Sequence, residues 1–255
     1  MEIINPPERE DCDTNLAERF WCRNSDFENA GLKSELLNLG ADIVGFGSLL
    51  ELPGHVRKDF PVGICVAVAY PGDVIRGIAD LPTQEYREHY DALNKRLDMI
   101  VTRGAEIIRG LGFKAEAQTR ENVGFGEDGN STTLPHKTVA TRAGIGWIGK
   151  CALLVTRRYG SAIRISSILT DAPLHTADPV NESLCGNCEI CTNACPGGAV
   201  SGKAWSVGVF RDEIYDPNKC RKTARERSKA GFGGDMTICG KCIEICPYTQ
   251  KYIQS

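Results

Sequence analysis

Eight of the twelve cysteines in this chain are spaced for inorganic chemistry. They read Cys185-Gly-Asn-Cys188-Glu-Ile-Cys191-Thr-Asn-Ala-Cys195-Pro196, then Cys220, then Cys239-Gly-Lys-Cys242-Ile-Glu-Ile-Cys246-Pro247. The first run is C-x2-C-x2-C-x3-C-P, the bacterial spacing for [4Fe–4S] clusters, in which the fourth cysteine serves the other cluster. The second is the same motif with its first gap stretched to C-x18-C. Eight thiolates suit two clusters. By the crossed rule Cys185, Cys188, Cys191 and Cys246 hold one, and Cys195, Cys220, Cys239 and Cys242 hold the other. Short gaps let the loop wrap one cube with thiolates and amides pointing inward. The proline after each fourth cysteine turns the chain away, since it lacks an N–H and its φ is fixed. A pair of zinc sites would use separated C-x2-C pairs and has no need of the third and fourth cysteine. A disulfide framework would need an oxidising compartment.

A second constellation is Gly144-Ile-Gly146-Trp147-Ile-Gly149-Lys150-Cys151. It fits GxGxxG and GxxxxGK, but both nucleotide motifs need a strand before the glycines and a helix after them. Here the preceding Pro135–Ala143 reads as helix and the following Cys151–Val155 as extended chain. Cys151 also stands where a P-loop has Ser or Thr. The nucleotide readings are therefore rejected, leaving a tight loop that lets something large approach the main chain. A basic run follows Cys220: Arg221, Lys222, Arg225, Arg227 and Lys229. It reads first as a solvated helix face. The sharper alternative is a docking patch for an acidic electron donor, or contacts to a phosphate-bearing cofactor tail.

The elements that must position these residues follow from periodicity. Helices are expected from near Thr14 through Trp21 and over about Asp26–Leu39, with Gly40 as a stop. Ala41–Gly47 reads as a strand. Pro61–Tyr70 is a near-continuous apolar run, expected as a strand buried on both faces, with Cys65 as a small core residue. Residues 83 to 111 carry an apolar stripe at three- and four-residue steps, the pattern of one long amphipathic helix. Strands are expected at Phe113–Thr119 and Gly160–Thr170, and a short helix at Lys137–Ala143. A Gly- and Asn-rich loop spans 121–134. Trp205 and Phe210 are expected to shield the clusters from water.

Composition fits this picture. The chain has 255 residues, 42% hydrophobic and 25% charged, which suits one medium body plus a small one. A formal net charge of −3 supplies no global basic field for nucleic acid. No apolar run is long enough to span a membrane. The first ten residues lack a basic start and apolar stretch, so a cytoplasmic location is expected. Twelve cysteines imply a reduced, anaerobic or well-buffered compartment.

With Ala143–Lys150, Gly160-Ser161, Ile168–Asp171, the stretch from Tyr86 through Tyr90 to Leu97, and the two cysteine runs in this order, the chain resembles the epoxyqueuosine reductases. It is also similar to their relatives, the corrinoid-dependent reductive dehalogenases. The resemblance covers roughly residues 40 to 250. It implies an α/β (α+β) fold, with a nitroreductase-like N-terminal domain over 1–178 and a ferredoxin-like domain with two [4Fe–4S] clusters over 179–255. It also implies cobalamin between them, bound without a histidine on cobalt. Consistently, none of His55, His89, His136 and His175 lies in an Asp-x-His-x-x-Gly motif. A flavin is the weaker alternative. Asn130, Gly144, Gly146, Trp147, Gly149, Lys150 and Lys222 are the expected cofactor contacts.

Three departures separate the chain from those families. Asn130 falls where the reductases carry an acidic proton donor, and an amide cannot act as an acid at neutral pH. His136, Asp128, Tyr90 and Lys137 are therefore the candidate donors. The chain also stops soon after Cys246, without the helical-repeat domain that grips tRNA, and it lacks the dehalogenases' export signal. The expected function is an iron–sulfur reductase fed by an external low-potential donor of ferredoxin or flavodoxin type and acting on a small molecule. The alternative is an electron-transfer partner that reduces or reactivates a corrinoid protein.

Overall fold

The apolar run at 61–70 becomes the inner strand of an antiparallel sheet. The computed structural model describes residues 25–124, 126 and 131–255, with the side chains of 25–28 set aside. The helix expected near Thr14, and the loop residues Asp128 and Asn130, lie outside the described residues. In chain order the main elements are α1 (Ser25–Asn38), β1 (Ile43–Ser48), β2 (Val62–Ala69), α2 (Gly72–Arg76) and α3 (Gln84–Gly110). They are followed by β3 (Ala115–Gln118), α4 (His136–Arg142), β4 (Trp147–Ile148), β5 (Leu154–Val155) and β6 (Ile163–Thr170). The cysteine-rich remainder carries short α5 (Ile190–Asn193) and α6 (Arg211–Ile214), then α7 (Pro217–Phe232), α8 (Lys241–Glu244) and α9 (Pro247–Gln254).

The main sheet has the order β1-β2-β6-β3, with every neighbouring pair antiparallel. In β2 successive side chains alternate between two apolar layers, because side chains on a strand point to opposite faces. Ile64, Val66 and Val68 join Leu36, Leu97, Ile100 and Ile168 on one side. Cys65 and Ala67 join Val139, Ala140 and Leu169 on the other. Both faces are covered by helix, so the strand needs no polar alternation. Cys65 is fully buried, and burial pushes its thiol up to about 12, which fits a core residue.

α3 is started by Thr83, whose hydroxyl accepts from the Tyr86 amide at 3.2 Å. Its buried stripe is Tyr86, Leu93, Leu97, Ile100, Val101, Ala105 and Ile108. Leu111 falls off that stripe and is 41% exposed. Gly104 interrupts the helix formers for a packing reason: a Cβ there would lie 2.6 Å from Ile168 Cδ1 and 2.7 Å from Leu36 Cδ2. α7 is bounded by ordinary end signals. Asp216 accepts from the amides of Asn218 and Lys219, Pro217 occupies the first turn, and Gly233 closes the helix at φ 74°. Among the described residues no helix is long and apolar enough to cross a membrane.

Candidate functional site

The glycine loop is a β-hairpin. α4 precedes it, and β4 pairs antiparallel with β5 after it, so the element order is opposite to that of a nucleotide loop. Close approach fixes its glycines. A Cβ at Gly146 would sit 2.1 Å from the Val155 carbonyl oxygen. One at Gly149 would sit 2.8 Å from Val155 Cγ2 and 3.6 Å from Cys185 Sγ. The hairpin thus lies within van der Waals reach of the first cysteine run.

A cavity of about 140 Å³ lies there, lined by Cys185, Cys188, Cys191, Cys242 and Cys246, with Gly149, Lys150, Cys151, Pro247 and Tyr248 completing most of its wall. The first three thiols of the first run share this space with the last thiol of the second, and with Cys242, which the crossed rule gives to the other cluster. Cys185 and Cys246 are near enough to act on one another electrostatically. Cys195 and Cys239 stand in the same relation to Cys220. Pro247 does more than turn the chain: it opens α9, where a missing N–H costs nothing.

The aromatic cover differs from the expectation. Phe210 is 76% exposed and shields nothing. Trp147 takes that place, fully buried, with its indole N–H directed at Cys185 Sγ at 3.4 Å and its ring edge-on to Tyr248 at 4.9 Å. The substitution has a simple cause. Val207 to Phe210 follow a surface turn, whereas Trp147 is carried by the hairpin that the sheet holds in place.

A second cavity, of about 400 Å³, lies between β6, α4 and the cysteine-rich segment. This volume is in the range of small-molecule sites. Its wall includes Cys220 and Cys242 on one side and His136, Lys137, Ser161 and Arg164 on the other. His136 faces Ser167 Oγ at 2.9 Å, and burial, then Arg164, hold its imidazole down to about 4. It is therefore neutral at pH 7. Lys137 donates to the Ala152 carbonyl at 3.0 Å, and burial, with Arg211 second, lowers its ammonium from the ordinary range. The Ser161 hydroxyl is buried and has no partner among the described residues. Arg164 donates to Asn94 Oδ1 at 3.0 Å and stacks over the Tyr90 ring at 4.4 Å. Tyr90 does not line the cavity; it reaches it through Arg164.

The seven residues expected to contact a cofactor do not gather in one place. Gly144, Gly146 and Trp147 open on a separate hollow with Lys33, Asp42 and Arg157. Gly149 and Lys150 line the cysteine cavity. Lys222 stands on the exposed face of α7 beside Arg221, Arg225 and Lys229, which is the solvated-face reading of the basic run. Asn130 lies outside the described residues. Spacing could not separate these groups, because the hairpin turns Gly144, Gly146 and Trp147 toward one hollow and Gly149 and Lys150 toward the other.

Sequence reasoning missed Ser161, Arg164 and the placement of Cys151. Ser161 lies two residues before β6 and Arg164 is the second residue of that strand, where neither has a pattern that marks a site. Cys151 is buried and lines both cavities, beside Cys191 and Cys242, one thiol from each run. Its neighbour in the GxxxxGK match was the only available signal.

Comparison with known proteins agrees with this architecture. Residues 184–249 match the 4Fe-4S double cluster binding domain. An epoxyqueuosine reductase of Synechococcus sp. (strain CC9605) is 32% identical over 136 residues, covering 53% of this chain and 42% of that protein. One of Yersinia pestis is 30% identical over 135 residues, covering 53% and 32%. The chain thus spans less than half the length of these curated relatives. Among solved structures, the catabolic reductive dehalogenase NpRdhA superposes with a TM-score of 0.68 at 17% identity, over 91% of this chain and 34% of that one. A reductive dehalogenase described by B12-dependent dehalogenation gives 0.67 at 18%, over 88% and 32%. The epoxyqueuosine reductase of Streptococcus thermophilus gives 0.56 at 20%, over 87% and 66%. In sequence the chain resembles the epoxyqueuosine reductases, and in fold it is a mixed α/β body, shared with them and with the reductive dehalogenases, that carries a 4Fe-4S double cluster binding domain toward its C-terminus.

Proposed function

We propose that this protein is an iron–sulfur oxidoreductase that passes low-potential electrons through two [4Fe–4S] clusters to a bound corrinoid that reduces a small substrate, with an edge of the corrinoid against the second cavity. The observation that carries the reading is the shared wall: Cys220 and Cys242, thiols of one expected cluster, line the same 400 Å³ cavity as Lys137, Ser161 and Arg164. The donor sets fit the clusters. Cys185, Cys188, Cys191 and Cys246 would hold one, and Cys195, Cys220, Cys239 and Cys242 the other. The cavity fits a polar cofactor periphery, because the buried Ser161 hydroxyl lacks a partner and a buried polar group ordinarily has one. Ser161 and Arg164 would hold the corrinoid there.

When bound, a reduced corrinoid supplies a strongly reducing metal centre. The chain supplies position and protons. Arg164, fixed by Asn94 and the Tyr90 ring, presents a permanent cation to an anionic group. Lys137, its ammonium lowered by burial, carries a proton it can release into the cavity, whereas His136 is neutral at pH 7 and offers only a hydrogen bond. Ile163 and Ile165 of β6 limit water on the cavity wall. Residues 1–178 would form the cofactor and substrate body and 179–255 the electron-delivering one.

A second reading, an electron relay to another corrinoid protein, is favoured by the exposed apolar side chains Leu184, Ile190, Val207 and Phe210 in the cysteine-rich part. Under either reading an external ferredoxin- or flavodoxin-type protein supplies the electrons. Anaerobic reconstitution separates them. The enzyme reading expects two clusters' worth of iron and sulfide plus stoichiometric binding of added hydroxocobalamin, weakened by Arg164→Ala. Iron and sulfide with no corrinoid binding would leave the relay. Stoichiometric zinc without acid-labile sulfide would sink both.

A further inference from the structure

Lys150 lines the first cysteine cavity. It is 6% exposed and has no hydrogen-bond or ion-pair partner among the described residues. A buried ammonium is costly unless an opposite charge meets it. No carboxylate lines this cavity among the described residues, and the buried acid of α8, Glu244, is engaged by Lys241 at 2.9 Å. What shares the cavity with Lys150 is a set of thiols, Cys185, Cys188, Cys191 and Cys246. Its backbone is fixed by the β4–β5 hairpin, where the Gly149 amide donates to the Leu153 carbonyl at 2.9 Å and the Ala152 amide donates to the Gly149 carbonyl at 2.8 Å. Tyr248 lines the same cavity, and Trp147 packs edge-on to it with its indole N–H directed at Cys185 Sγ.

We propose that Lys150 is the counter-charge of the cluster held by Cys185, Cys188, Cys191 and Cys246, and sets its reduction potential above that of the second cluster. The inference rests on the cluster assignment proposed above. A [4Fe–4S] centre with four thiolates is an anion in both states and gains one more negative charge on reduction. A fixed cation beside it therefore stabilises the reduced state more than the oxidised one. Net charge, hydrogen bonds to sulfur and solvent exposure set such potentials. Lys150 is 6% exposed, so its charge is screened less than a surface charge would be. Lys150 is a positioning residue: it touches no substrate and changes only where the electron rests. With the first cluster raised, an electron from outside is held there before moving to the cluster beside the second cavity.

The test is an anaerobic redox titration of the cluster-loaded protein followed by electron paramagnetic resonance. Cys188→Ala, lacking the first cluster, identifies which couple belongs to it. Lys150→Gln is expected to lower the reduced-to-oxidised ratio of that couple at least tenfold at fixed poise, about 59 mV for one electron. The other couple should move far less. Lys150→Arg, which keeps the charge, should leave the first couple near its wild-type position. An unmoved couple in Lys150→Gln, or equal shifts in both variants, overturns the inference. If Lys150→Gln fails to load the first cluster, Lys150→Arg decides: loading with an unmoved couple supports it, and failure to load overturns it. Wild-type protein without iron and sulfide would instead overturn the cluster assignment itself.

Discussion

Gly160→Ala tests how the sheet body holds the cysteine-rich segment in place. Gly160 sits at φ 56°, in the turn before β6, where its carbonyl accepts from the Thr156 amide at 2.8 Å. A side chain in this left-handed region costs about 1–2 kcal/mol. A Cβ there would also lie 2.3 Å from the Thr249 amide nitrogen and 2.4 Å from its hydroxyl. Main-chain atoms cannot yield as a side-chain tip can, so overpacking adds about 1–3 kcal/mol. The shift would break the buried bond from the Ser161 amide to Thr249 Oγ1, now 3.1 Å, worth about 1 kcal/mol. Together these give about 4 kcal/mol. The consequence is local as well as global, because Thr249 is in the first turn of α9, just after Cys246. Displacing α9 draws Cys246 away from Cys185. The assay is paired: the guanidinium midpoint of the cluster-loaded protein, and its iron content after gel filtration. A lower midpoint with loss of up to one cluster's iron is expected. Full iron with a destabilisation below about 1 kcal/mol would refute the claim that this contact positions the ligand.

Three further outcomes follow from the same geometry. Cys188→Ala should lose one cluster's worth of iron, while Cys65→Ala and Cys151→Ala should lose none; equal loss in all three, by colorimetric iron assay, would contradict the ligand sets. His136 has its imidazole held at about 4, against an ordinary 6.5. The unfolded chain thus binds the extra proton first, and stability that is full above pH 6.5 is lost as pH falls toward 4, by at most about 3 kcal/mol. His136→Gln should flatten that part of a stability-versus-pH curve, and an unchanged slope would argue against a buried neutral imidazole. Tyr252→Phe removes the hydroxyl that donates to the Tyr70 carbonyl at 2.7 Å. It should cost about 1 kcal/mol without touching iron content, read as a denaturation midpoint.

Much was legible without coordinates where local rules dominate. The cysteine runs announced a two-cluster module, because ligand spacing is set by the cube and not by the rest of the chain. The long stripe of α3, the doubly covered β2, and the reversed order around the glycine loop were all readable from period and flanking context, and the sheet and hairpin agree with them. Tertiary structure alone decided which residues meet. Lys150 faces the thiols and Gly144 faces away, because a hairpin separates neighbours in sequence onto different sides. Trp147 shields Cys185 in place of Phe210, because shielding depends on what the sheet can hold rigid. Ser161 and Arg164 enter the second cavity only because β6 runs between α4 and the cysteine-rich segment, a juxtaposition that arises from long-range packing and leaves no local pattern in the sequence.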